Sequence, residues 1–200
     1  MVCQGVQTRN ILFSSGVNLV KLAFVIMLKD KESLGKELVA TAYLTGDFDL
    51  SSGRKSNYFF DKYLFETEPE LLASVTKYLS EGIPAEAKRL AGMAVGAVPL
   101  VTALSLETRL PFVIVRKTQK PYGTARQIEG RLNQGDAVVL VEDIVTTGQQ
   151  TLRAAKILQE AGARVTKVIC VIDREEGGRK NLEAAGLSFE ALFTRTSLGI

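Results

Sequence analysis

Histidine is absent from this chain of 200 residues. That excludes Ser-His-Asp and Cys-His nucleophilic sites and any histidine-ligated zinc. Cysteine is nearly absent: there are two, Cys3 and Cys170, far apart in sequence. Two thiols cannot build a four-thiolate zinc site. Cys170 lies inside an apolar run and reads as a buried free thiol, which argues for a reducing cytoplasm and against a disulfide scaffold. Any metal should be a hard, oxygen-bound ion such as magnesium, which often arrives with substrate phosphates. Neither GxxxxGK[ST] nor GxGxxG occurs, so P-loop and dinucleotide-binding readings lose their main support. A large charge excess is also missing. The net charge of +3 does not demand a nucleic-acid partner. A hydrophobic content of 46% with 24% charged residues is ordinary for a soluble globular protein, and the length suits one domain with a small subdomain.

Residues 1–26 contain no acid and only Arg9 and Lys21 as bases. Asn18 and Lys21 interrupt their apolar stretch, which is too broken to span a bilayer and lacks a clean small-residue cleavage site. The expectation is a dispensable extension with Met27 as the natural start, because MLKDKESLGKELV opens an amphipathic helix directly. N-terminal sequencing of the native protein tests this, and a mature chain starting at residue 1 refutes it.

Beyond that point the apolar periods place helices over 30–44, 68–80, 98–108, 148–161 and 179–185. Thr67 and Glu70 have capping-box spacing ahead of the second helix. Strands are expected over 89–95, 111–115, 137–142, 164–172 and 187–194, with a hairpin over 48–60 around a Ser-Ser-Gly turn and a mobile basic loop over 117–131. Strands alternating with helices imply an α/β fold with a mostly parallel central sheet flanked by helices. A small N-terminal hood, about 30–65 plus the C-terminal strand, would cover a core of about 66–186, the whole forming a single domain over 27–200.

The densest chemistry lies in AVVLVEDIVTTGQQT, residues 137–151. An apolar run, as for a strand buried on both faces, ends in Glu142 and Asp143. Acids at the C-terminal end of a parallel strand stand where open α/β sheets bind ligands. Thr146, Thr147 and Gly148 then offer hydroxyls and close backbone approach at a helix start, a ready phosphate site. Acids for sugar hydroxyls beside a phosphate cradle suggest a ribose-5-phosphate pocket. This stretch resembles the signature of type I phosphoribosyltransferases, which use 5-phosphoribosyl diphosphate. The resemblance implies that Glu142 and Asp143 hold the ribose, and that Thr146, Thr147, Gly148, Gln149 and Gln150 hold the 5-phosphate.

Arg116, Lys117, Lys120, Arg126 and Arg131 concentrate positive charge between two expected strands, with Glu129 the single acid of that stretch. A departing diphosphate needs such charge, and a loop that carries it can close over the site. VRKTQKPYGT, with Arg116, Lys117 and Lys120, resembles the catalytic loop of the orotate phosphoribosyltransferases. Tyr122 stands where many members have histidine. LSSGRKSNYFFD, residues 50–61, resembles the orotate-site segment, which implies that Phe59 and Phe60 cover the pyrimidine; Ser51 replaces a lysine of some members. In IDREEGGRKNLE, residues 172–183, Arg174 follows a strand at the ligand end, and an arginine fork suits a carboxylate. The family places an orotate-binding arginine there, with Thr146 also facing the base. GMAVGAVPL, residues 92–100, resembles the loop that binds diphosphate through its backbone, with Gly96 in place of a lysine of some members.

The resemblance covers about residues 33–200 with these segments in family order. It implies phosphoribosyl transfer to orotate in pyrimidine biosynthesis, with Lys117, Lys120 and Asp143 catalytic, and with Arg116 and Tyr122 joining them and Glu142 around phosphoribosyl diphosphate. Magnesium would be bound through that substrate, with no direct protein ligand. It also implies a cytoplasmic homodimer that shares the 116–126 loop between active sites, with no nucleic-acid or membrane partner. The same fold acting on another base, or serving as a non-enzymatic nucleic-acid-binding regulator, remains open at this level. Arg174 with the Phe59-Phe60 pair speaks against the first, and bases gathered in one loop rather than a broad face speak against the second.

Overall fold

Six strands form the central sheet in the order β5-β4-β3-β6-β7-β8. They are β3 (Arg89–Met93), β4 (Phe112–Val115), β5 (Ile128–Glu129), β6 (Ala137–Val145), β7 (Arg164–Asp173) and β8 (Phe189–Thr194). All pair in parallel except the short β5, which runs antiparallel to β4. This computed structural model describes residues 29–49, 53, 55–118 and 127–200. The expected extension 1–26, Ser51, Lys120, Tyr122 and Arg126 lie outside the described residues.

Alternation along β6 shows how the layers arise. Every residue from Ala137 to Asp143 is buried, so both faces of the strand are covered. Val138 and Leu140 face one cluster with Ala154, Ala155 and Leu158 of α5 (Gln149–Glu160) and Leu182 of α6 (Gly178–Ala184). Val139 and Val141 face the other, with Leu71, Val75 and Leu79 of α3 (Pro69–Glu81) and Leu100, Val101 and Leu104 of α4 (Val98–Thr108). Leu34, Leu38 and Ala42 of α1 (Lys31–Ala42) join this second cluster. The sheet is therefore sandwiched between helices, as expected for the α/β class.

The order of strands creates a switch point. From β3 the chain crosses through α4 to β4 on one side, then returns to lay β6 on the other. The crevice between the C-terminal ends of β3 and β6 is where such sheets accept ligands. The segments that follow these two strands, 94–97 and 146–148, flank it.

A separate hairpin, β1 (Tyr43–Asp49) with β2 (Lys55–Phe60), leads into the short helix α2 (Lys62–Glu66). Several expected boundaries shift for identifiable reasons. The first helix stops at Ala42 because Tyr43 enters the hairpin opposite Phe60 and stacks on Tyr58 at 5.3 Å between centroids. Thr67 does not cap α3: it ends α2, and its hydroxyl donates back to the Tyr63 carbonyl at 2.6 Å. Pro69 instead opens α3 after Glu68. Part of the expected basic loop is ordered as β5. The C-terminal strand, expected with the hood, forms an edge of the central sheet. A last short helix, α7 (Arg195–Leu198), follows it, and Leu198 and Phe193 press on Gly35 of α1. No helix among the described residues is long and apolar enough to cross a membrane.

Candidate functional site

β6 continues past its two acids to Val145, with Ile144 opposite Ile172 and Val145 opposite Asp173. Glu142 and Asp143 are thus strand residues, and the pleat sends adjacent side chains to opposite faces. Glu142 follows Val138 and Leu140 toward α5, where Thr151 lies close enough to favour its charged form. Asp143 follows Val139 and Val141 toward the opposite side, where it pairs with Lys62 of α2. One acid therefore reaches each side of the strand end. Burial, and then the charge of Asp143, push the Glu142 carboxyl well above the usual carboxylate range. Its Oε1 is buried without a hydrogen-bond partner, so the site retains polar capacity that a ligand can satisfy.

The turn after β6 is built around Gly148, whose φ of 75° is the left-handed conformation that favours glycine. Gly148 caps α5, and Gln149 and Gln150 are exposed in its first turn. The turn is braced from α6. Asn181 Nδ2 donates to the Thr147 carbonyl at 2.9 Å, and an added Cβ on Gly178 would lie 2.5 Å from the Thr146 carbonyl oxygen. The phosphate-site residues read from the sequence, Thr146 to Gln150, thus fall together around one helix start.

Arg174 leaves the neighbouring strand β7 and donates its backbone N–H to the Val145 carbonyl at 2.9 Å, beside Thr146. Its guanidinium bonds the Tyr58 hydroxyl of β2 at 2.6 Å and pairs with Glu176 at 2.9 Å. The β1–β2 hairpin is thereby tied to the C-terminal end of β7. Phe59 and Phe60 do not form one aromatic surface, because alternation along β2 separates them. Phe60 is buried against Phe65, with ring centroids 6.3 Å apart, and lines a small cleft with Tyr58 and Arg174. Phe59 is 40% exposed and packs on Phe48.

The basic segment starts in the same region. Ala94 N–H bonds the Val115 carbonyl at 2.8 Å, which sets the end of β4 beside the 94–97 turn. Arg116 is half-buried, pairs with Glu129 at 3.7 Å and keeps its Nε buried without a hydrogen-bond partner. Lys117 is exposed, yet near enough to Glu142 to favour its charged form.

Two residues that the sequence reading passed over stand at the centre of the site. Lys62 Nζ sits between Asp143 and the 94–97 turn: a Cβ on Gly96 would collide with both Asp143 Oδ2 and Lys62 Nζ. The ammonium therefore occupies the neighbourhood from which a side chain at position 96 would project. Burial alone would lower the Lys62 pKa, but the charge and hydrogen bond of Asp143 outweigh it and the net shift is upward. Glu66, one turn along α2, is 2% exposed with neither carboxyl oxygen hydrogen-bonded. Burial, and then Asp143, push its pKa up to about 8. The local signal for this pair is only a Lys and a Glu at i and i+4, which ordinarily marks an exposed helix face.

A parallel sheet with acids at its switch point, a glycine turn at a helix start and cations around both defines a class. A family model for the phosphoribosyl transferase domain matches residues 67–186, and the chain belongs to that family. Its similarities are narrower than the family. The orotate phosphoribosyltransferase of Natronomonas pharaonis is 49% identical over 159 residues, spanning 80% of this chain and 91% of that protein. The crystal structure of Mycobacterium tuberculosis orotate phosphoribosyltransferase in complex with Fe(III) dicitrate matches with a TM-score of 0.75 at 29% identity, covering 86% of this chain and 100% of that one. The structure of that protein in complex with 5-phospho-α-D-ribosyl 1-diphosphate matches with a TM-score of 0.70 at 27% identity, over the same shares of the two chains.

Proposed function

We infer that this protein transfers the 5-phosphoribosyl group of phosphoribosyl diphosphate to orotate, giving orotidine 5-monophosphate and diphosphate in pyrimidine biosynthesis. The observation that carries the reading is the placement of Arg174 beside the Thr146 turn, one strand away from Glu142 and Asp143. A carboxylate-matching fork and a ribose-phosphate cradle are thereby side by side. Orotate carries a carboxylate, whereas uracil and adenine do not.

In the reaction the N1 of orotate gives up its proton to solvent and bonds to C1 of the ribose as the bond from C1 to the diphosphate oxygen breaks, and the electron pair of that bond leaves with diphosphate. Positive charge develops on the ribose ring. Asp143 and Glu142 hold the ribose hydroxyls from the two faces of β6, the Asp143 carboxylate also offsetting the ring charge. Thr146, Thr147, Gly148, Gln149 and Gln150 hold the 5-phosphate through hydroxyls and helix-start amides. Arg116, Lys117 and Lys120 stabilise charge on the leaving diphosphate, which Tyr122 can also hydrogen-bond. Arg174 fixes orotate, with Thr146 and Phe60 beside it; Phe59 joins them if the hairpin moves.

Two carboxylates, Glu142 and Asp143, stand at this end of the sheet, and oxygen donors suit a hard ion held chiefly by the substrate's own phosphates. Magnesium would enter with the diphosphate and neutralise part of its charge. A homodimer sharing the 116–126 loop and a cytoplasmic location complete the proposal. The buried free thiol of Cys170 suits a reducing compartment.

The test is an absorbance assay of orotate with phosphoribosyl diphosphate and magnesium, run beside uracil and adenine. Consumption of orotate alone supports the assignment of Arg174. Turnover of another base overturns the specificity, and turnover of none overturns the reaction.

A further inference from the structure

Lys62 is more than a structural partner for Asp143, on three grounds. Its position is central: the ammonium stands over Gly96, in the turn between β3 and α4 that faces β6 across the switch point. Its bonding is incomplete, since an ammonium carries three donors and Asp143 is the hydrogen-bond partner of Nζ among the described residues. It is also open, with 28% of the side chain exposed against 7% for Asp143. A cation recruited only to neutralise a buried acid would be sealed and saturated. This one retains donors beside both Asp143 and the 94–97 turn. Glu66 does not compete for it: the carboxyl makes no hydrogen bond, and its raised pKa leaves it largely protonated at neutral pH.

We propose that Lys62 is a diphosphate ligand, bridging Asp143 and an oxygen of the diphosphate group of bound phosphoribosyl diphosphate. The inference rests on the phosphoribosyl reading above and adds a residue from the hood to it. Because Lys62 opens α2, immediately after the β1–β2 hairpin, the hood then contributes directly to holding the leaving group. Gly96 is required in this arrangement because any side chain there would displace the ammonium.

The experiment separates the diphosphate from the rest of the donor. The unaltered protein and Lys62→Gln are each titrated calorimetrically with phosphoribosyl diphosphate plus magnesium, and separately with ribose 5-phosphate, which lacks the diphosphate. Loss of a charge-assisted bond predicts affinity for phosphoribosyl diphosphate weakened roughly ten-fold or more, with ribose 5-phosphate changed by no more than about two-fold. Lys62→Arg, which keeps the charge, should recover most of the difference. Equal weakening of both ligands overturns the proposal, because it would mean that Lys62 acts only by holding Asp143 for the ribose. Failure of the unaltered protein to bind phosphoribosyl diphosphate would instead defeat the phosphoribosyl reading, and this inference with it. Should Lys62→Gln fail to fold, the unaltered protein supplies the answer. Inorganic diphosphate with magnesium should slow acetylation of Lys62, read by peptide mass spectrometry, whereas unchanged acetylation overturns the proposal.

Discussion

At the scale of single residues, the site is a problem of crowded carboxylates. Glu66, Glu142 and Asp143 are all nearly inaccessible, and Lys62 is the cation bonded to one of them. Glu66 shows the cost. Its ordinary value is 4.5 and its value in the folded protein is about 8. Between these pH values the folded chain keeps a proton that the unfolded chain has released, so stability is full below the lower value and falls as pH rises through the higher one. Glu66→Gln removes that dependence. The variant should match the parent in urea unfolding near pH 5 and exceed it by about 2–4 kcal/mol near pH 8.5. An equal difference at both pH values would show that Glu66 is not the titrating group. Lys120, outside the described residues, belongs to this scale by its proposed role. Removal of one charge aimed at the leaving group costs about 3–4 kcal/mol of transition-state stabilisation. Lys120→Ala should therefore lower turnover by orders of magnitude with the melting temperature unchanged, and unchanged turnover would remove Lys120 from the mechanism.

At the scale of elements, the turn between β6 and α5 depends on two glycines that face each other. Gly148 supplies the left-handed residue, and Gly178 lets α6 approach the turn until its backbone lies against Thr146. Gly178→Ala should force α6 outward, lowering stability by about 1–3 kcal/mol and weakening the binding of ribose 5-phosphate. Thermal unfolding and calorimetry would check both effects, and an unaltered phosphate affinity would show that the brace is dispensable. These elements also show what a sequence can reveal. The β6 run, the α4 start at Val98 with Pro99 behind it and the Gly148 turn were legible because each is specified by neighbours within a few positions. The Thr67 cap misled because a hydroxyl one residue before Glu-Pro serves the preceding turn equally well. Lys62 was illegible for a different reason. Its meaning comes from Gly96 and Asp143, at sequence distances of 34 and 81 residues, and no local period encodes such a meeting. Phe59 and Phe60 are adjacent in sequence, but the alternation of a strand sends one outward and one into the core.

At the scale of the whole molecule, the β1–β2 hairpin and α2 leave Leu44, Phe59, Tyr63 and Leu64 substantially exposed, and the proposed dimer shares a loop between active sites. Shared sites have an arithmetic signature. Lys120→Ala and Asp143→Asn should each be nearly inactive alone. Mixed and re-equilibrated, half of the dimers carry one subunit of each kind, and in each of those one site has both residues intact. Activity should return to about a quarter of the parent value. No recovery, with subunit exchange verified by sedimentation of tagged chains, would mean that each subunit completes its own site.

The bond between Arg174 and Tyr58 has an optical consequence. The chain contains no tryptophan, so its five tyrosines carry all of its near-ultraviolet emission. Tyr58 accepts a hydrogen bond from the Arg174 guanidinium while its ring stacks on Tyr43. A carboxylate ligand that takes the Nη2 group of Arg174 displaces that hydroxyl, and the stacked pair then emits from a changed environment. Orotate itself absorbs where tyrosine is excited, so a non-absorbing carboxylate analogue is the suitable titrant. It should shift tyrosine intensity in the parent and leave Tyr58→Phe unresponsive, making the β1–β2 hairpin a fluorescent gauge of the proposed orotate site.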